Sequence, residues 1–390
     1  IEVALSVVLL VGAGLLLRSF SAVLKQNPGL EPHGLIAGQI WVPVPNNPEA
    51  NRYLTPAEQA ALARQLLDRL MRIPGVRRIA LGSSGDLPLL NNSTNAVPFS
   101  LPDEPATRDD SRAAQFGSVS AGYFDALETP LIAGRFFTDH DDANAPGVVV
   151  VNQAFARRFG PRIAGQSLVG ERLRVGRSKD LRIVGIVGDI RTDGLDVQPE
   201  PHVYQSILQR STVALAVFLR TSDDIRGTRG ALTRAVRDVD PELPVFAVRT
   251  MEDLMSSSMA RRRFSLELIS AFAVSALLLA AFGLYGIVAF VVRQRQHEFG
   301  VRIALGAQSG DIATLVLGPG LLLTSAGIVV GIAASLGLTR LISALLVGVS
   351  ANDPMTLLGV SALLLAVTAA ACMVPVSRAV RVSPTEALRG

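Results

Sequence analysis

A chain of 390 residues with 49% hydrophobic residues and a mean hydropathy of +0.38 is too long for one usual domain and too apolar for an ordinary water-soluble one. Its net charge is only +4, its lysines are Lys25 and Lys179 alone, and it has no basic run interleaved with aromatic platforms, so nucleic acid is not an expected partner. Its single cysteine, Cys372, excludes an intrachain disulfide framework and lies in an apolar stretch, where packing is its expected role.

The apolar residues concentrate in Val3 to Leu17, Leu266 to Val292 and Ile312 to Cys372, and Lys25 to Arg263 has the mixed composition of a globular domain. Val3 to Leu17 is slightly short for a bilayer-spanning helix, which needs about 20 apolar residues. A signal peptide is the rival reading. No basic segment precedes the run, however, and no small-residue cleavage site follows at Leu17-Arg18-Ser19-Phe20. The chain opens on Ile1, so the expectation is a first span truncated at its start, with polypeptide upstream.

Ile36 to Val42 is strand-like, and Thr55-Pro56-Ala57-Glu58 is a capping box with proline at the first helical position. Leu62, Leu66, Leu70 and Ile73 then share one helix face until Pro74-Gly75, and a strand follows at Val76 to Leu81. A second strand–helix–strand unit is expected from Val213 to Leu219, Arg226 to Val239 and Val245 to Val248, sharing one sheet with the first. Between them, about Arg112 to Gln209, strands at Gly147 to Val151 and Leu181 to Val187 and a helix at Asn152 to Phe159 read as an inserted subdomain. The Asp139-His140-Asp141-Asp142 run could bind a divalent cation, but its setting before Pro146-Gly147 favours a solvated turn. His33, His140, His202 and His297 have no metal-ligand spacing, and neither a Gly-x-Ser-x-Gly elbow nor a P-loop is present.

Ala271 to Val292 is free of charge and is the surest span. Leu315 to Leu338 is a second, with Pro319 expected in its first turn, and Thr356 to Val376 a third, the two joined at Ser350-Ala351-Asn352-Asp353-Pro354. Arginines flank both ends of the spans equally, so charge leaves orientation open. Gly327, Gly331 and Ser335 form a stripe of small residues for helix packing, inside the bundle in preference to between subunits. In Arg293 to Asp311, Glu298 and Arg302 are spaced for pairing, Gly306 can end a short helix, and Ser309 can cap the next. Ser383-Pro384-Thr385-Glu386 is a further capping box near the C-terminus.

Glu298-Phe299-Gly300-Val301-Arg302-Ile303-Ala304-Leu305-Gly306-Ala307 closely resembles the signature after the second span of MacB/FtsX-type ABC permeases. Gly122-Tyr123-Phe124, Pro130-Leu131, Gly134-Arg135-Phe136-Phe137, Val150-Val151-Asn152-Gln153-Ala154 and Val184-Gly185-Ile186-Val187-Gly188-Asp189 look like that family's periplasmic core domain. Pro375-Val376-Ser377-Arg378-Ala379 and Pro384 to Arg389 are similar to its ending, and the opening resembles the start of the second half of a duplicated orphan permease.

The resemblance implies an α-helical membrane protein of four spans with an α+β periplasmic domain of two lobes inserted between spans 1 and 2. Its expected segments are span 1 (1–20), periplasmic domain (21–263; porter lobe about 34–100 and 212–250, inserted lobe about 112–209), span 2 (264–292), cytoplasmic coupling helix (293–311), span 3 (312–349), span 4 (350–376) and cytoplasmic tail (377–390). It further implies a bacterial inner-membrane location and a non-catalytic subunit that binds no cofactor or metal itself. ATP and magnesium would reside on a separate ABC ATPase, docked at Glu298, Arg302, Gly306 and Ala307. A second permease half, a periplasmic adaptor and the lipid bilayer complete the implied partners. Pro319 departs from the family's polar residue at the start of span 3, where a helix break is the expectation. Two function classes follow: a permease driving export or extraction of a periplasmic substrate by mechanical transmission, and an FtsX-like scaffold regulating an envelope enzyme.

Overall fold

A computed structural model describes residues 2–45, 51–89, 96–100, 112–163, 168–175, 180–222, 225–305, 308–342, 350 and 352–380. The chain divides into two compact units, residues 1–25 with 261–390, and residues 26–260.

The first unit is helical. It comprises α1 (Glu2–Leu24) and, after the second unit, four further helices described below. Helix α1 continues a full two turns beyond Leu17, because Arg18, Ser19 and Ser21 do not oppose helix and its buried stripe runs on through Ser19 to Val23.

The second unit begins with β1 (Leu35–Trp41), α2 (Pro56–Met71) and β2 (Val76–Ser83). Helix α2 starts where its capping box dictates: Thr55 Oγ1 accepts from the Glu58 amide at 3.3 Å, and the Thr55 amide donates to Glu58 Oε2 at 2.8 Å. It buries Leu62, Leu66 and Leu70. There follow β3 (Ala96–Ser100), β4 (Ala113–Val119), α3 (Tyr123–Leu127), β5 (Leu131–Gly134), β6 (Val148–Asn152), α4 (Gln153–Ile163), β7 (Arg172–Val175), β8 (Leu181–Val187) and β9 (His202–Ser206). The unit closes with β10 (Ala214–Thr221), α5 (Ile225–Val239), β11 (Val245–Thr250) and α6 (Met251–Ser258).

Strand order explains how distant segments cooperate. The path β11-β1-β10-β2 is antiparallel throughout, so β10 lies between β1 and β2, and β1 lies between β10 and β11. Each strand–helix–strand unit is therefore split by a strand of the other, and the two expected units do share one sheet. Their helices cover a core of Ile36, Ile40, Leu66, Leu81, Val217, Leu219, Leu232 and Val236. From β4 onward the pairings β4–β3, β3–β7, β7–β8, β8–β6, β6–β9 and β9–β4 return to their start, forming a closed ring of six strands. A second core belongs to this ring: Phe155 and Phe159 of α4 pack against Phe99 at centroid distances of 5.2 and 4.9 Å, among Val149, Val151, Leu173 and Ile183.

The remaining helices of the first unit are α7 (Ala260–Gln294), α8 (Gln296–Ala304), α9 (Ser309–Ile342) and α10 (Pro354–Val380). Among the described residues, four helices are long and apolar enough to cross a membrane: Glu2–Leu24, Arg262–Gln294, Thr314–Leu338 and Pro354–Pro375. Their large exposed side chains, Phe272, Leu279, Phe282, Phe290, Leu322 and Leu358 among them, would be costly in water and suit an apolar solvent. The inner faces meet around Val7, Val11, Leu15, Leu284, Val288, Ile328, Leu364 and Cys372, where the cysteine packs as expected.

Pro319 corrects an expectation. It lies inside α9, not in a first turn, and α9 runs through it without interruption. The helix begins at Ser309, two turns before the apolar run is under way, so the missing proline N–H falls in the interior and costs the Leu315 carbonyl its usual partner.

Candidate functional site

The surface helix α8 follows α7 almost without a break, the Phe299 amide donating to the Arg295 carbonyl at 3.0 Å. Glu298 Oε1 accepts from Arg302 Nη2 at 2.8 Å, one turn apart with the acid first, the orientation the helix dipole favours. Both side chains are nearly half exposed. Phe299, between them in sequence, is 1% exposed and packs into the bundle core with Val292 and Val316. The helix is thus anchored by one ring and offers Glu298, Val301, Arg302 and Leu305 outward, Leu305 being 83% exposed. Gly306 and Ala307, expected as contacts, lie outside the described residues, as does the capping box at Ser383.

The small-residue stripe meets α1. A Cβ on Gly327 would stand 2.8 Å from Val3 Cβ, and one on Gly331 would stand 2.5 Å from Val7 Cβ and 2.9 Å from the Ala4 carbonyl oxygen. Ser335 is buried on the next turn, its hydroxyl donating to the Ile332 carbonyl at 2.8 Å. Gly327 and Gly331 thus stand where α1 passes closely against α9. Ser6 adds a tie to α7 by donating to the Ala276 carbonyl at 2.9 Å, and Thr324 of α9 meets Thr368 of α10 at 3.2 Å between hydroxyls. At one end of the bundle Arg18 pairs with Asp353, which also caps α10 through the Thr356 amide at 2.9 Å. The Thr356 and Arg18 bonds hold the Asp353 carboxyl below its usual range.

In the strand-rich unit, the segment leading from α1 is bound on several sides. Arg220, buried on β10, donates to the carbonyls of Ala126, His33 and Glu31 at 2.8, 2.7 and 2.8 Å. Burial lowers its pKa, with Glu128 and Glu31 opposing. Gly29, at φ +82°, passes so near the Asp189 carbonyl that a Cβ would lie 1.8 Å from its oxygen. His33 Nδ1 lies 2.8 Å from Glu252 Oε1, and the bond raises the imidazole pKa. The leader into this unit and helix α6, which leaves it, are thereby tied to each other. Sequence reasoning missed this clasp, since Arg220 is separated from its acceptors by 94 to 189 residues.

The acidic run at Asp139 resolves into a structural turn. Asp141 is buried, takes both Arg135 nitrogens at 2.7 and 2.8 Å, and accepts from the Thr138 amide at 2.8 Å. Arg135 lowers its pKa against the opposing effect of burial, with Thr138 assisting. Asp142 pairs with Arg64 at 3.2 Å. Asp141 and Asp142 are committed to guanidinium partners, and no group of three metal-ligating side chains gathers among the described residues. A second buried cluster joins β2, β4 and β9. His202 Nε2 lies 3.0 Å from Asp86 Oδ1, in ion-pair range but off hydrogen-bond alignment, and the imidazole stacks on Tyr204 at 4.1 Å. Gly117 leaves the space Asp86 occupies, since a Cβ there would lie 2.1 Å from Oδ2.

A cleft of 490 Å³ between the end of β1 and α5 holds Tyr53, whose hydroxyl donates to Asp240 at 2.6 Å. Burial and that bond push the phenol up to about 12.

Four helices long and apolar enough to cross a membrane among the described residues, carried on one chain with this strand-rich unit, fit a membrane protein with a separate folded domain. Residues 3–237 match the MacB-like periplasmic core domain and residues 270–384 the FtsX-like permease C-terminal model, and the chain belongs to the MacB/FtsX-type ABC permeases. The pyoverdine export ATP-binding/permease protein PvdT of Pseudomonas putida is 28% identical over 311 residues, 74% of this chain and 45% of that protein. The macrolide export ATP-binding/permease protein MacB of Bdellovibrio bacteriovorus is 25% identical over 291 residues, 70% of this chain and 44% of that protein. The chain spans less than half the length of these two relatives. The crystal structure of the periplasmic region of MacB from Actinobacillus actinomycetemcomitans aligns at a TM-score of 0.39 and 13% identity, covering 61% of this chain and 98% of that one.

Proposed function

We propose that this chain is the permease subunit that converts ATP hydrolysis by a separate cytoplasmic ABC ATPase into movement of its periplasmic domain, driving export or extraction of a periplasmic substrate. The observation that carries the reading is α8, held to the bundle by buried Phe299 with Glu298, Arg302 and Leu305 turned outward. It sits between two candidate spans within the region that matches the permease model. A rigidly seated helix with an exposed, oriented ion pair transmits a push from a docked partner to α7 and α9 without side-chain slack.

In this reading α8 and the C-terminal tail face the cytoplasm of an inner-membrane protein, and residues 26–260 are periplasmic. Residues about 34–100 and 212–250 make up a porter lobe and about 112–209 an inserted lobe, with β3 of the former pairing into the six-strand ring of the latter. Gly306 and Ala307 complete the docking surface. ATP and magnesium belong to the ATPase, a second permease half completes the bundle, and a periplasmic adaptor receives the domain's motion.

The test is charge reversal on α8, with the ATPase co-expressed. An exposed i,i+4 pair stabilises by about 0.3–0.5 kcal/mol, so Arg302→Glu should accumulate and melt like the parent within about 1 kcal/mol. It should lose ATPase co-purification and stimulation. An Arg302→Glu protein that binds and stimulates its ATPase as the parent does removes the coupling role from α8.

A further inference from the structure

We propose a specific phospholipid site between α7, α8 and α9, taking one acyl chain of an anionic lipid into an apolar pocket and its phosphate onto Arg295. The pocket holds 270 Å³. Ten of its lining residues are apolar, Phe299, Pro319, Gly320 and Leu323 among them, and Arg295 is the eleventh. The sequence builds the hollow directly. Gly320 contributes no side chain, and Pro319 beside it lacks the N–H that would draw the preceding turn tight. Phe299 of α8 closes one side.

Charge selects the occupant. A wholly apolar pocket would accept any acyl chain, and water would gain nothing there. Arg295 follows the last residue of α7, where a spanning helix reaches the headgroup level, and its guanidinium is exposed. Among the described residues no carboxylate pairs with it. A guanidinium with no carboxylate partner among the described residues, beside an apolar slot at a membrane surface, matches a lipid that presents a phosphate without a compensating amine. Phosphatidylglycerol has that chemistry and phosphatidylethanolamine does not. Because Phe299 and Arg295 flank the start of α8, the bound lipid would brace the surface helix from its membrane side.

The inference rests on α7 and α9 spanning a bilayer and is independent of ATPase coupling. The full chain is reconstituted in vesicles of phosphatidylethanolamine and phosphatidylglycerol at three to one, extracted in mild detergent, and its retained lipids are measured by native mass spectrometry. The parent should retain about one phosphatidylglycerol per chain, enriched over the vesicle ratio. Arg295→Gln should cut that enrichment roughly fivefold, the effect of one basic residue at a lipid surface, and Arg295→Lys should keep most of it. Arg293→Gln, changing an exposed arginine outside the pocket, should leave it intact. Leu315→Trp, narrowing the mouth while sparing Arg295, should lower retention of both lipids. Equal retention of both lipids by the parent overturns the proposal. So does an equal effect of the Arg293 and Arg295 changes, which would mean a diffuse basic belt.

Discussion

Replacing Gly331 with alanine tests whether the small-residue stripe seats α1. The added Cβ would lie 2.5 Å from Val7 Cβ and 2.9 Å from the Ala4 carbonyl oxygen. Optimal carbon contacts are about 3.5–4.0 Å, so the overlap exceeds 1 Å and one neighbour is backbone. Neither can rotate away, and α1 must shift. Overpacking of this kind costs about 1–3 kcal/mol, offset by the 0.8–1.0 kcal/mol or so that alanine gains over glycine inside a helix. The net expectation is a destabilisation of roughly 0–2 kcal/mol, toward the upper end because one of the clashing atoms is backbone. Val7→Ala alone should also destabilise, because it empties a site that is 0% exposed. Combined, the two changes should cost less than their sum by roughly 0.5 kcal/mol or more, because Val7→Ala removes Cγ1, 2.9 Å from the added Cβ, and gives α1 room to shift, while Val7 Cβ and the Ala4 carbonyl remain. The assay is thermal stability of the full chain in detergent, measured for the parent, both single variants and the double variant. Additive effects, or Gly331→Ala melting above the parent, would refute the close approach of α1 to α9.

Arg135→Ala should remove about 1–3 kcal/mol at neutral pH, less than for a fully buried pair because the guanidinium is half exposed. Asp141 has a depressed pKa in the folded state, so its contribution is present above the unfolded carboxyl value and is lost as pH falls through the folded value. The gap between parent and variant melting curves should therefore narrow below about pH 4, and a gap that stays constant would assign the loss to packing. For topology, a reporter active only in the cytoplasm should work when fused after Gly390 or within Gln308 to Gly310 and fail near Asp103; the opposite pattern overturns the orientation.

The parts of this molecule legible in its sequence are those specified by neighbours along the chain. The capping box at Thr55 placed the start of α2 to the residue, and the charge-free Ala271 to Val292 run placed α7 within its longer helix. The Glu298–Arg302 pair and the Gly327–Gly331–Ser335 stripe could be read because helical spacing alone puts such residues on one face. Ring closure was not legible: β9 pairs parallel with β4, Gln115 opposite His202, and no local pattern encodes which distant strand completes a ring. The same holds for His202 beside Asp86 and for the Arg220 clasp, whose partners become neighbours only after the sheet is assembled.

Pro319 shows a different failure. Its local rule, that proline belongs in a first turn, was outweighed by tertiary context, because helices packed against α9 support a helix that continues through the proline despite the missing N–H. A defect kept in the wall of a bundle leaves room beside it, and that room is the pocket at Arg295. Where a sequence breaks a helix rule and the helix persists, the vacated space is the place to look for a ligand.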